Sequence, residues 1–111
     1  MQPEQKKTQE NQYVLYKFTA IWCGPCKSPQ LKVACQNCVD TVKKQYPTFE
    51  FKEIDVDDTE NSELMSTYKI NAMPTFVLVN CTTNFEIGRV VGVNTVALEN
   101  MMLSLLKNDS N

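Results

Sequence analysis

The chain has 111 residues, of which 42% are hydrophobic and 22% charged, the makeup of one globular domain with a single core. A net charge of -2 with no basic cluster gives no reason to expect nucleic acid, and no run of 18 apolar residues is present to cross a membrane. Histidine is absent, which removes Ser-His and Cys-His catalysis and the commonest nitrogen ligand for metals.

In chain order, residues 1–12 are polar after Met1 and read as an arm, with the domain over 13–111. The arm holds no apolar core of a signal peptide, so the expected compartment is the cytosol, where most thiols stay reduced. Val14-Leu15-Tyr16-Lys17-Phe18-Thr19-Ala20 is an apolar, aromatic-rich run that predicts a buried strand over 13–20. It runs into Trp22-Cys23-Gly24-Pro25-Cys26-Lys27. Two thiols at this spacing between a strand and a helix can close into a small disulfide ring and reopen.

A helix is expected over about 24–45, with Leu31, Ala34, Cys35, Cys38 and Val42 as its buried stripe. Pro29 falls inside that span and should kink it or limit its first turn; Tyr46-Pro47 ends it. A strand follows over 48–56, and Asp57, Asp58 and Thr59 supply caps for a short helix over about 60–68. Strands over about 75–80 and 85–91 flank the turn-like Asn80-Cys81-Thr82-Thr83-Asn84. Asn94 caps a last helix over 95–107, whose face is Leu98, Met101, Met102, Leu105 and Leu106. This order predicts an α/β domain: a parallel pair joined by a crossover helix, then an antiparallel hairpin, with helices on both faces.

A second segment points the same way. Ala72-Met73-Pro74-Thr75 precedes the uncharged run Phe76-Val77-Leu78-Val79. With Trp-Cys-Gly-Pro-Cys upstream, the chain resembles the thioredoxin family from about Tyr13 to about Lys107. Phe18, Ala20 and Trp22 match the approach to the family's active site, Ile54 to Asp58 the strand end before the next helix, and Gly92 the glycine beside the substrate groove.

The resemblance implies a thioredoxin fold with a mixed sheet of about four strands, because too few residues precede Lys17 for the family's first edge strand, which is expected to be missing or vestigial. It implies a thiol-disulfide oxidoreductase that reduces protein disulfides. Cys23, at the mouth of the helix, would be the nucleophile, its pKa drawn from about 8.5 toward neutrality by free backbone N–H groups. Cys26, deeper in, would resolve the mixed disulfide. Pro25 stiffens the turn after Gly24. Pro74 would be cis and face the pair, with Thr75 behind it. Ile21, Trp22, Met73, Val91, Gly92 and Val93 would floor a groove that takes extended substrate backbone. The couple would be reducing, near about -270 mV. No cofactor is implied beyond the Cys23–Cys26 disulfide. The implied partners are disulfide-containing proteins and a reductase that reloads the dithiol; a monomer is expected.

Several residues depart from the pattern or stand outside it. Lys17 occupies the place of a buried aspartate in the family. It has two readings: an electrostatic or proton-transfer role toward Cys26, or a buried stem whose amine reaches water. Cys35 and Cys38 form a second Cys-x-x-Cys, read either as regulatory thiols or as small hydrophobes on the inner stripe. Cys81, in a turn, is either a site of oxidation or an inert surface thiol. Two rival functions remain open at this point: a non-catalytic interaction module on the same fold, and a metal protein using the two Cys-x-x-Cys pairs.

Overall fold

The computed structural model describes residues 12–109. The elements follow in the expected order: β1 (Tyr13–Thr19), α1 (Pro29–Gln45), β2 (Glu50–Asp55), α2 (Ser62–Thr67), β3 (Thr75–Asn80), β4 (Phe85–Val91) and α3 (Thr95–Asp109). Short 3-10 turns at Pro25–Lys27 and Thr59–Asn61 lead into α1 and α2. Apart from Gln12, the polar arm lies outside the described residues.

The sheet order is β2-β1-β3-β4. β1 runs parallel to β2, as the crossover through α1 requires, and antiparallel to β3, which pairs antiparallel with β4. Alternate residues of the two central strands feed two cores. Leu15, Phe76 and Leu78 meet Leu31, Val39 and Val42 of α1 and Leu98 and Met102 of α3. On the opposite face Val14, Phe18, Val77 and Val79 meet Leu64, Met65 and Tyr68, around α2. Burial on both faces explains why β1 and β3 are almost continuously apolar. Tyr16, Phe18 and Tyr68 add ring contacts on the α2 side. Tyr13 meets Tyr46 edge-on at 5.2 Å between ring centres.

Among the described residues no strand pairs with the outer side of β2, the place the family's first edge strand would fill. That rim is charged: Glu50, Lys52 and Glu53 are exposed, and Lys52 Nζ lies 3.4 Å from Glu50.

The second element differs from the reading of one helix over about 24–45. Pro25–Lys27 is a separate 3-10 turn, and Ser28, with ψ at 125°, is extended before α1 begins at Pro29. The steric demand of a proline on the residue before it forces this break. Pro29 therefore starts a helix rather than kinking one, a position where its missing N–H costs nothing. Ser28 Oγ caps α1 by accepting from Leu31 N at 3.3 Å. The helix read over 60–68 is likewise a 3-10 turn followed by a shorter α2. Asp58 accepts from Glu60 N and Asn94 from Ala97 N, each at 3.0 Å, as capping side chains should. At Gly88 an added Cβ would meet Met101 Sδ at 3.2 Å, so the bare backbone lets α3 settle close to β4.

Cys35 and Cys38 both belong to the core between α1 and the sheet. Burial raises the Cys35 thiol to about 11 from an ordinary 9.0, with Lys17 opposing the rise and Cys38 and Glu53 adding to it. The fold thus holds this proton more tightly than the unfolded chain does. Stability from this source is complete below about pH 9 and is lost as the pH climbs toward 11. Urea titrations of the oxidised protein should show that fall, of order 2 kcal/mol for the group. Cys35→Ala should show a flatter decline over the same interval, and an equal slope would refute the assignment.

Candidate active site

β1 delivers the chain to the site. After Thr19 it turns tightly, with Cys23 N donating to Ala20 O at 3.1 Å, and lifts Ile21 and Trp22 outward. Both are strongly exposed, at 77% and 65%. Gly24 and Pro25 are also exposed, at the outer end of the loop. The Trp22 indole is held rather than loose: its Nε1 donates to Asp57 Oδ2 at 2.8 Å.

Cys23 and Cys26 form a disulfide, their Cα atoms 5.4 Å apart. The expected difference in depth is not a marked one, since both are almost fully covered. Hydrogen bonding distinguishes them instead. Cys26 N donates to Cys23 Sγ at 3.2 Å, so the 3-10 turn aims a backbone donor at the first sulfur. Because α1 begins only at Pro29, this local donor takes the part that the sequence reading gave to the mouth of a long helix.

The other wall comes from the start of β3. The Met73–Pro74 peptide is cis. Met73 packs against the cluster of Ala20, Cys23 and Cys26, which places this segment beside the disulfide. Pro74 and Thr75 are buried, and the Thr75 hydroxyl donates to Ala72 O at 2.7 Å, closing the loop before the strand. Gly92 N donates to Pro74 O at 2.8 Å, tying the end of β4 to the same wall. Gly92 has φ at +90°, a conformation that L side chains rarely adopt. Val91 and Val93 on either side of it are exposed.

Lys17 is 4% exposed, so its amine does not reach outward to open water. Its Nζ donates to Cys26 O at 3.0 Å and lies 3.7 Å from Glu53 Oε2, the residue directly across the parallel ladder. Cys35 and Cys38 are in the core, away from the surface loop, while Cys81 is exposed in the β3–β4 turn. Among the described residues no three Cys, Asp or Glu side chains converge to hold a metal ion, so the two Cys-x-x-Cys pairs do not combine.

Sequence reasoning missed two residues here. Asp57 was read with its neighbours as a cap, yet its carboxylate holds Trp22. Glu53 was not singled out. A tryptophan N–H needing an acceptor and a lysine inside an apolar strand are visible in the sequence, but neither says which carboxylate answers it.

A redox disulfide carried on the loop after a central strand, walled by a cis-proline loop, defines a thiol-disulfide oxidoreductase. The chain belongs to the thioredoxin family, whose model matches residues 4–104. It is 38% identical over 103 residues to thioredoxin H2-2 of Oryza sativa subsp. japonica, a match covering 88% of this chain and 68% of the relative. It is 31% identical over 90 residues to thioredoxin-1 of Saccharomyces cerevisiae, covering 81% and 78%. The crystal structure of the germline-specific thioredoxin Deadhead of Drosophila melanogaster superposes with a TM-score of 0.67 at 29% identity, covering 92% and 89% of the two chains. Mitochondrial thioredoxin 3 of Saccharomyces cerevisiae does so with a TM-score of 0.61 at 31% identity, covering 89% and 84%. The chain is accordingly a protein-disulfide oxidoreductase that works through Cys23 and Cys26.

The three free thiols should differ sharply in reactivity. Burial raises the pKa of Cys38 as well, with Glu99 adding to it. In the oxidised, folded protein at pH 8, iodoacetamide should modify Cys81 alone, with Cys35 and Cys38 labelled only after denaturation. Peptide mass spectrometry checks this; prompt native labelling of Cys35 or Cys38 would contradict their placement in the core.

Proposed function

We propose that the chain works in the reducing direction on protein disulfides, with Cys23 as nucleophile and Cys26 as resolving thiol. The observation that carries the assignment is the Cys26 N–H aimed at Cys23 Sγ at 3.2 Å, a donor in place to stabilise a thiolate there. The Cys23 thiolate attacks a substrate disulfide, one substrate sulfur leaves, and a mixed disulfide forms. Cys26, as its thiolate, then attacks Cys23. The second substrate sulfur leaves and takes up a proton, and the Cys23–Cys26 bond closes. Two electrons have moved from the dithiol to the substrate.

Substrate docks on the apolar rim of Ile21, Trp22, Met73, Val91 and Val93, with Gly24 and Pro25 at its edge and Pro74, Thr75 and Gly92 fixing its far wall. The exposure of four large apolar side chains here supports that reading, because such groups rarely cluster on a surface without a partner. Extended substrate pairs with the Met73 backbone as a short added strand. The side chains lining this rim are few, so several proteins fit it. The Gly-Pro dipeptide between the cysteines supports a reducing potential, by its likeness to reducing members of the family. Reloading then falls to a thioredoxin-type reductase, in a reducing compartment such as the cytosol, where Cys35, Cys38 and Cys81 would stay unpaired as they are here. The protein acts as a monomer with no cofactor beyond its own disulfide.

The test is insulin reduction with dithiothreitol as electron source. Cys23→Ser should abolish turnover, lowering it at least about a hundredfold relative to the parent. Cys26→Ser, reduced beforehand and freed of dithiothreitol before insulin is added, should instead trap a covalent protein–substrate adduct, seen on a non-reducing gel. Retained turnover in Cys23→Ser would overturn the assignment of the nucleophile.

A further inference from the structure

We infer that Lys17 and Glu53 form an opposed electrostatic couple that sets how readily Cys26 gives up its proton: Lys17 promotes the resolving thiolate and Glu53 moderates it. The inference rests on the reading of Cys26 as the resolving thiol.

Four observations carry it. Lys17 is a cation inside an otherwise apolar strand, almost wholly removed from solvent. Its Nζ is fixed on the carbonyl of Cys26 itself, at 3.0 Å, so its charge is anchored to the residue that must ionise. Glu53 lies opposite it in the parallel register and 3.7 Å away, with more than half of its side chain in water. An open cleft of about 350 Å³ reaches Cys26 between β1, β2 and α1, giving the departing proton a way to solvent.

The charges facing Cys26 are few. Lys17 comes from β1, Glu53 and Asp55 from β2, Lys27 from the 3-10 turn, and Lys32 from α1; Cys35 of α1 faces Lys17. Lys17 is the buried one, so its field is the least screened. An ammonium ion favours the thiolate over the thiol, and an adjacent carboxylate subtracts from that preference. The same division is visible at Cys35, where Lys17 draws the thiol down and Glu53 pushes it up. A lysine in the ammonium form cannot accept the proton of Cys26, unlike the aspartate that the family carries at this place. The proton goes instead to water in the cleft, and the lysine stabilises the charge left behind. This makes Lys17 and Glu53 positioning residues for resolution rather than groups that touch substrate.

The two partners must then act in opposite directions. Reduced protein carrying Cys81→Ser is mixed with dithiobis-nitrobenzoate in a stopped-flow instrument. The first burst of thionitrobenzoate reports attack by Cys23, and the second reports resolution by Cys26. Lys17→Met should move the pH midpoint of the second phase upward by about one unit, a tenfold loss of thiolate. Glu53→Gln should move it downward, by about half that amount since this carboxylate is partly screened. Shifts in the same direction, or no shift in Glu53→Gln, would overturn the couple; an upward shift in Glu53→Gln would make that residue the proton acceptor instead. Glu53 is a surface residue, so its variant decides the matter even where Lys17→Met does not fold. A parent protein with no second phase would overturn the dithiol cycle itself, a different failure from a normal cycle that ignores both substitutions.

Discussion

The antiparallel pairing of β1 with β3 is the constraint on which the site depends. Its register places Phe18 opposite Thr75, so the chain leaving β1 and the chain entering β3 emerge at the same end of the sheet. One carries the cysteines within seven residues of Thr19; the other carries Met73 and Pro74. The first has only the 3-10 turn Pro25–Lys27 and the second no regular structure of its own, so the strands must bring them there. The strands that aim them are buried on both faces, which makes their register hard to slip, because a one-residue shift would turn every core side chain to the wrong layer. The parallel ladder to β2 adds Glu53 across from Lys17 and brings Asp57, just past the strand, under Trp22.

Much of this was legible in the residues, for reasons that differ from element to element. β1 and β3 announced themselves because burial on two faces demands unbroken apolar runs, and α3 because its apolar positions recur at helical spacing. The cysteine loop and the Met-Pro-Thr segment were legible because special chemistry needs special residues. What was misread turned on local backbone preference against a longer pattern. The stripe of Leu31, Ala34, Cys35 and Cys38 was extended back to Gly24, although Pro29 forbids a helical Ser28 and divides the segment. The environment of Lys17 was beyond reach for another reason. Whether its amine turned in or out depended on a carbonyl nine residues later and a carboxylate on another strand, and spacing along the chain carries neither fact.

The site tolerates a buried cation because its cost is met on two sides. An uncompensated ammonium in an apolar interior would cost several kcal/mol and would drive the side chain outward. Here a carbonyl accepts its hydrogen bond and a carboxylate balances its charge. The result is a polar column running beneath the cysteine loop, from the Cys26 carbonyl through Lys17 to Glu53 at the rim. On the opposite side of the loop, Asp57 performs a simpler task, holding the indole of Trp22 so that a large apolar face stays presented instead of folding down onto the disulfide.

The charged rim of β2 has a consequence for the protein as a population of molecules. Among the described residues β2 has no partner on its outer side, and an edge of that kind offers a template on which another copy can lay its own strand, the first step toward ribbons and precipitate. Glu50, Lys52 and Glu53 line this edge, and a copy that paired there would have to strip water from their charges. Glu53 thus serves two ends, one inward toward the chemistry and one outward toward colloidal solubility. A protein that must display a greasy rim in order to work thus carries charge along the edge strand that borders it.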